Sequence, residues 1–269
     1  MKKLVKPGKP ELVRGTGLAS FGLWGWLASC LAVSAVFGFQ SFFPSAIGLA
    51  SNVLTLLCVA AGLGSVLLCV RRYGLAIKTR FQASWFSFAI GFGLWTAAES
   101  IWAAYYTVFG VAVPNYSIAD IFYMAGYVPI FVGLLLYIGT FDVALQRKRI
   151  AAAAVVIALA FAVVSYTVLP TELAAGGTLL QTLDDLSFII LDLVMLSLVV
   201  LTFTIFVGGR ISKWLMVLGG AAVLYVIGDE DFLIQTANGT YYNGSYNDLI
   251  FLLAYLTFAL AFYLHRREW

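Results

Sequence analysis

The chain has 269 residues, of which 62% are apolar and 11% are charged. An ordinary soluble domain is about half apolar and about a quarter charged, so the composition excludes that class and is typical of an integral membrane protein. Because one membrane span needs about 20 apolar residues, the length allows about eight spans and leaves no room within these residues for a soluble catalytic domain.

Long apolar runs between short polar breaks predict eight transmembrane helices. In chain order they cover residues 18–39, 47–70, 83–109, 119–141, 150–169, 178–207, 214–236 and 247–265. The expected fold is therefore an all-α, polytopic membrane helix bundle. We divide the chain into a basic tail, residues 1–16, and one eight-helix transmembrane domain, residues 17–269. The first apolar run is too long and too rich in Trp for a signal peptide, and we expect it to be retained.

The basic residues predict the orientation of the bundle, because Lys and Arg near the ends of spans are held on the cytoplasmic side. With eight spans, all 16 fall on one side of the membrane. They are Lys2, Lys3, Lys6, Lys9, Arg14, Arg71, Arg72, Lys78, Arg80, Arg147, Lys148, Arg149, Arg210, Lys213, Arg266 and Arg267. This pattern indicates a protein of the plasma (cytoplasmic) membrane whose N-terminus and C-terminus are both cytoplasmic.

The acidic residues have the opposite distribution. Asp192 is placed near mid-depth, and nine others fall in the outer half: Glu99, Asp120, Glu172, Asp184, Asp185, Asp229, Glu230, Asp231 and Asp248. A carboxylate that faces lipid costs about 2.5–3.5 kcal/mol, so such groups usually face the bundle interior or a wet cavity. Crowded carboxylates without a basic partner take up protons or hold a cation. The alternative is an interfacial role: Asp120 as the N-cap of span four, Glu172 in a loop, and Asp248 in the first turn of span eight.

Helical spacing gives the expected site. Trp95, Glu99, Trp102 and Tyr106 recur along one face of span three, where aromatic rings could attract a cation or form an interfacial belt. The ligand-binding residues that we predict are Glu99, Trp95, Trp102, Tyr106, Asp120, Asp185, Asp192, Asp229 and Asp248. If the cofactor is a metal cation, its predicted ligands are Glu99, Asp185 and Asp229.

Several chemistries lack the residues they need. No span contains the lysine of a retinal Schiff base, and the single histidine, His265, lies at the cytoplasmic end of the last span. No catalytic residue is predicted, and a metal-dependent intramembrane enzyme ranks last among the function classes. The expected partner is the lipid bilayer, with no nucleic acid. Asn238 and Asn243 begin glycosylation-type triplets that also make good turns, so their modification stays open.

Two blocks of sequence resemble multipass sensor modules that precede diguanylate cyclase, phosphodiesterase, PAS or histidine kinase domains in bacteria and archaea. The first block runs from Ala98-Glu99-Ser100-Ile101-Trp102 through Pro114 and Ala119-Asp120 to Gly126-Tyr127. The second contains Gly228-Asp229, Gly244-Ser245, Asp248 and Tyr255. The resemblance implies a membrane module that senses a ligand or an ion. Two features depart from the pattern: these 269 residues do not include an output domain, and span seven contains the triple acid 229–231.

Two functions follow from these observations. The first is a non-enzymatic sensor or receptor-like module that binds a cation, a proton or a small cationic ligand in an outer, carboxylate-lined cavity. Its signal would pass to a homo-oligomer or to a separate cytoplasmic signalling partner. The alternative is a cation or proton-coupled transporter or channel in which Asp192 acts as a mid-membrane relay.

Overall fold

The structure is a computed structural model that describes residues 16–114, 116–141, 147–206 and 212–268. These residues form helices and contain no strand. The helices are α1 (Thr16–Gly38), α2 (Ile47–Tyr73), α3 (Arg80–Thr107), α4 (Ile118–Ile138), α5 (Arg147–Thr167), α6 (Leu169–Ala175), α7 (Leu179–Phe206), α8 (Ser212–Ala237) and α9 (Tyr246–Glu268). A short 3-10 helix, Gln40–Phe42, follows α1. Most of the predicted basic tail, together with Arg210 and Asp142, lies outside the described residues.

The all-helical prediction is confirmed, and several helices are long and apolar enough to cross a membrane. Among the described residues, five segments meet that condition: Ile47–Tyr73, Ile118–Ile138, Ile150–Ala175, Leu179–Phe206 and Tyr246–Arg267. A shorter apolar segment is Gly22–Gly38. Helices α3 and α8, with 28 and 26 residues, are equally long but do not meet the condition. Both contain carboxylates within otherwise apolar sequence, at Glu99 and at Asp229-Glu230-Asp231.

Six helices form a closed ring. Neighbours in the ring are α2, α3, α4, α7, α8 and α9, and α9 packs again on α2. Helix α1 packs outside the ring on α9, and α5 packs outside it on α7. The ring brings residues that are far apart in the sequence to one interior, which an array of sequential helix pairs would not do.

The two ends of the ring differ in charge. The end that carries the 108–117 and 238–245 loops is called here the carboxylate end, because Glu99 in the second half of α3, Asp184 near the start of α7 and Asp248 in the first turn of α9 lie toward it. The opposite end is called the basic end, since Arg71 and Arg72 end α2, and Arg266 and Arg267 end α9.

Stacked aromatic rings fill the ring interior between these ends. Trp95 of α3 and Tyr225 of α8 lie face to face, with ring centroids 4.6 Å apart and planes inclined by 3°. Nearer the basic end, the imidazole of His265 packs between Trp85 and Trp214, at centroid distances of 4.5 and 4.7 Å. Such offset and edge contacts add to the stabilisation from burial alone. They join helices on opposite sides of the ring.

Helices α3 and α4 approach closely because glycines remove side chains at their contact. A Cβ atom added to Gly126 would lie 2.4 Å from Trp95, and one added to Gly91 would lie 2.5 Å from Ile130. Small residues are the usual means by which membrane helices pack closely. The close approach fixes α4 against α3 and positions Tyr127 in the ring interior, where it is fully buried.

Candidate functional site

A cavity of about 900 Å³ opens inside the ring at the carboxylate end. Every helix of the ring contributes to its wall, together with the 108–117 and 238–245 loops. Cavities that hold small molecules typically measure about 300–1,000 Å³, so the volume suits an organic ligand and far exceeds that of one bare ion.

Carboxyl groups from five helices face this cavity. They belong to Glu99, Asp120, Asp184, Asp185, Asp229 and Asp248. Within the part of the chain that the structure describes, the lining contains no Lys, Arg or His. Five of the nine predicted ligand-binding residues are acids brought together here, in a cavity whose described lining offers them no basic partner.

Three of these acids are less than one-tenth exposed: Glu99 and Asp184 at 8% and Asp248 at 7%. The hydroxyl group of Tyr255 donates a hydrogen bond of 2.8 Å to Oε1 of Glu99. By contrast, Oδ1 of Asp184 is buried and has no hydrogen-bond partner among the described residues. A buried polar atom without a hydrogen-bond partner is costly, so Asp184 is the acid of the cavity wall whose hydrogen-bonding capacity the described protein leaves unused.

Two of the cavity acids also accept hydrogen bonds from backbone N–H groups. Asp120 accepts a hydrogen bond from the backbone N–H of Ser117 and completes a capping box at the start of α4. The N-cap is therefore Ser117, which corrects the expected role of Asp120; the reciprocal geometry places the acid at the third helical position.

Asp248 lies in the first turn of α9, as the sequence predicts. Its Oδ2 accepts from Ser51 at 2.6 Å and from the backbone N–H of Gly244 at 2.7 Å, and its Oδ1 accepts from Tyr241 at 3.0 Å. Three donors from two segments thus fix this carboxylate. It ties the 238–245 loop and α2 to the start of α9.

Asp192 lies in the ring interior and does not line the cavity. The hydroxyl group of Tyr127 contacts Oδ1 of Asp192 at 2.5 Å and Oδ2 of Asp229 at 3.0 Å. Asp229 lines the cavity, whereas Asp192 is completely buried. Tyr127 therefore links a cavity acid to a fully enclosed one.

Aromatic rings form another part of the cavity wall. Trp102, Phe232 and Tyr241 contact each other edge to face, with centroid distances of 4.7–6.4 Å. Nε1 of Trp102 donates to Oδ1 of Asn243, which also accepts from the side-chain amide of Asn52. These bonds hold the Trp102 ring in place beside the cavity.

Tyr106 and Trp95, two further residues of the predicted aromatic stripe, lie in different surroundings. Tyr106 lines the cavity, as does Trp102. Trp95 does not: it is completely buried against Tyr225, and its Nε1 donates to the backbone carbonyl of Tyr123. The helical stripe on α3 therefore runs from the cavity into the core of the ring.

Among the described residues, no group of three or more His, Cys, Asp or Glu side chains is arranged to hold a metal ion. Hard cations need several oxygen ligands within about 2.0–2.6 Å of one point. Glu99, Asp185 and Asp229 share a cavity without forming such a shell, so their assignment as metal ligands stays a prediction without geometric support.

The sequence did not point to several residues that shape the site or the opposite, basic end of the ring. Tyr127 and Tyr241 read as ordinary aromatic residues, yet each binds a carboxylate. His265 binds the hydroxyl groups of Tyr73 and Tyr137 through its two ring nitrogens, at 2.8 and 3.1 Å. One feature of the sequence could have indicated these contacts: an apolar chain that contains many Tyr residues and many acids. Buried polar groups in such a chain usually pair with each other.

Comparison with protein-family models, curated proteins and solved structures found no match to this chain. The resemblance to sensor modules therefore rests on its two sequence blocks. In the structure, residues 98–127 span the junction of α3 and α4, and residues 228–255 span that of α8 and α9. Both blocks contribute to the wall of the cavity.

Proposed function

We propose that the chain is a non-enzymatic membrane sensor module that binds a cationic ligand in the cavity at its carboxylate end. The observation that carries this proposal is the cavity lined by six carboxyl groups and, in the described chain, by no basic side chain. An anionic ligand would be repelled there, whereas a cation would offset the repulsion among the acids.

The proposal includes an orientation. Eight spans would place the cavity at the outer face of the plasma membrane and the basic end in the cytoplasm. Arg71, Arg72, Arg266 and Arg267 end two helices of the ring, in keeping with the retention of basic residues on the cytoplasmic side. Ligand binding outside would then bias the packing of helices whose other ends face a cytoplasmic signalling partner or a second copy of the chain.

The test is the thermal stability of the purified chain in detergent with increasing concentrations of cations at constant ionic strength. A ligand that binds only the folded state stabilises it by mass action. We expect a cation to raise Tm, and we expect Glu99→Gln combined with Asp229→Asn to abolish the increase. Glu230→Gln is the matched control, because Glu230 is not among the residues that line the cavity. A full increase in the double variant would remove Glu99 and Asp229 from the site.

A transporter is the second candidate, and the contact of Tyr127 with both Asp229 and Asp192 favours it. That contact extends a polar path from the cavity toward the middle of α7. Flux into proteoliposomes separates the two functions. A sensor gives no flux, whereas a transporter gives flux that Asp192→Asn abolishes.

A further inference from the structure

The unpartnered oxygen of Asp184 indicates which donor the cavity lacks. Asp184 is more than nine-tenths buried, it lines the cavity, and its Oδ1 has no hydrogen-bond partner among the described residues. The other buried cavity acids, Glu99 and Asp248, accept hydrogen bonds from protein groups. A ligand that has an N–H donor and a positive charge would supply a hydrogen bond to Asp184 and would also balance a negative charge on its carboxyl group.

The volume and the wall of the cavity argue for a cation with an organic part. A cavity of about 900 Å³ leaves most of its space unfilled around a single inorganic ion. The described residues also provide no cluster of ligands for a metal. Apolar side chains such as Leu49 and Val111 line the cavity beside its acids. Such a wall favours a ligand that buries carbon atoms as well as charge.

The aromatic part of the wall suits the same ligand. Trp102, Phe232 and Tyr241 present three rings held by mutual edge-to-face contacts and by the hydrogen bond from Trp102 to Asn243. Aromatic rings attract organic cations through their electron-rich faces and also pack against apolar or aromatic groups. A ring of this kind offers nothing to a strongly hydrated divalent ion.

We propose that the cavity binds an organic ammonium ion, with its N–H group directed to Asp184 and its carbon part packed against Trp102, Phe232 and Tyr241. This inference rests on the proposed function, since it names the chemical class of the cationic ligand. A primary or secondary amine with an apolar or aromatic substituent fits the class. A quaternary ammonium ion fits less well, because it cannot donate to Asp184.

The experiment compares three probes on the purified full chain: 2-phenylethylammonium, its neutral analogue 2-phenylethanol, and the chlorides of sodium, magnesium and calcium. Thermal unfolding is followed at constant ionic strength. We expect 2-phenylethylammonium to raise Tm by several degrees, and we expect the alcohol and the inorganic salts to have little effect. The comparison uses the unmodified chain, so it does not depend on the folding of any variant.

Two variants then locate the probe. Asp184→Asn and Trp102→Leu should each lose most of the increase in Tm. The matched controls, Glu230→Gln and Trp24→Leu, should keep it, because Trp24 is 65% exposed on α1 and neither residue is among those lining the cavity. Retention of the full increase in both cavity variants would overturn the assigned position.

The remaining outcomes separate this inference from the function on which it rests. If an inorganic cation raises Tm and 2-phenylethylammonium does not, the organic class is wrong while the cation-binding function stands. If the alcohol stabilises the chain as much as the ammonium ion does, charge recognition is absent and the inference fails. If no cation of either kind has an effect, the inference and the proposed function both fail.

Discussion

Tyr127 makes a contact that can be understood by counting protons. Its hydroxyl group has one proton but lies within hydrogen-bond distance of both Asp192 and Asp229. It can donate to only one carboxyl group, so the second contact is a hydrogen bond only if that carboxyl group is itself the donor. The geometry is therefore satisfied when the pair of acids carries at least one proton.

This gives the first prediction. Asp192→Asn should preserve Tm closely, because a neutral amide replaces a buried acid of the same shape. Tyr127→Phe should lower Tm more, since it removes a hydrogen bond from a completely buried carboxyl group, at a cost of about 1–3 kcal/mol. Thermal unfolding measures both, and infrared spectroscopy should show a protonated carboxyl band that is lost when Asp192→Asn and Asp229→Asn are combined. A larger loss of Tm in Asp192→Asn than in Tyr127→Phe would contradict the shared proton.

His265 has a comparable role at the basic end. It is completely buried, and its two ring nitrogens contact hydroxyl groups from α2 and α4, those of Tyr73 and Tyr137. A neutral imidazole has one donor and one acceptor nitrogen, so it can serve both hydroxyl groups at once. The last turn of α9 is thereby joined to two other helices of the ring.

The second prediction is a double-mutant cycle. His265→Phe should destabilise the chain, because it leaves the hydroxyl groups of the partly buried Tyr73 and the buried Tyr137 without this partner. Tyr73→Phe should cost less in the His265→Phe background than in the unmodified chain, and the coupling should be about 0.5–3 kcal/mol. Chemical or thermal unfolding in detergent provides the four stabilities. Additive effects would show that the 2.8 Å contact contributes no energy of its own.

At the scale of the helices, the distance between α3 and α4 depends on which positions of α3 are glycine. A Cβ atom on Gly91 would meet Ile130 at 2.5 Å and the backbone oxygen of Gly126 at 3.0 Å. A Cβ atom on Gly93, two residues further along α3, would meet nothing within 4 Å. The two glycines differ only in the face of the helix on which they lie.

The third prediction compares these two positions. Gly91→Ala should lower stability by about 1–3 kcal/mol, because α4 must move to admit the methyl group. Gly93→Ala should leave stability unchanged or raise it by up to about 1 kcal/mol, since alanine favours the helix. Unfolding of the two variants side by side provides the measurement. Equal effects would mean that the close approach of α3 and α4 does not contribute to stability.

The positions of the helices were largely predictable from the sequence, because apolar runs and polar breaks are local properties. Span three was expected at residues 83–109 and α3 is Arg80–Thr107; span four was expected at 119–141 and α4 is Ile118–Ile138. Span five was expected at 150–169 and α5 is Arg147–Thr167; the short helix α6, Leu169–Ala175, follows it with Pro170 in its first turn and was not predicted. Proline lacks the N–H that a continuous helix needs at that position.

The site was predictable only in part. Helical periodicity placed Glu99, Trp102 and Tyr106 on one face, and all three line the cavity. The same periodicity included Trp95, but the cavity ends above it because Tyr225 of α8 stacks on its ring. Sequence spacing along one helix does not show how deep a partner from another helix reaches. The rotation of α7, which buries Asp184 more than its neighbour Asp185, is equally a property of the assembled ring.

At the scale of the whole molecule, the ring separates two chemically different ends. Acids and tyrosines surround the cavity at one end, and basic residues end α2 and α9 at the other. Under the proposed orientation, the 108–117 loop faces outward and the segment between α2 and α3 faces the cytoplasm.

The fourth prediction tests this orientation by cysteine labelling. In a variant whose native cysteines, Cys30, Cys58 and Cys69, are replaced by alanine, Ala112→Cys should react with a membrane-impermeant maleimide in intact cells. Leu75→Cys should react only after the cells are permeabilised, although Leu75 is 74% exposed. The replacement of the native cysteines is accepted as a background only if Tm is retained. Labelling in the reverse order would invert the assigned topology.

Helix α9 connects the two ends without interruption. Its first turn is fixed by the bonds of Asp248 to α2 and to the 238–245 loop, and its last turn is fixed by those of His265. At 1.5 Å per residue, these anchors lie about 25 Å apart on one stiff rod. Because α9 is one continuous helix between these anchors, we expect a displacement of one anchor to move the other as well. Under the proposed function and orientation, α9 is therefore the helix that would transmit a displacement from the ligand cavity to the cytoplasmic end of the ring.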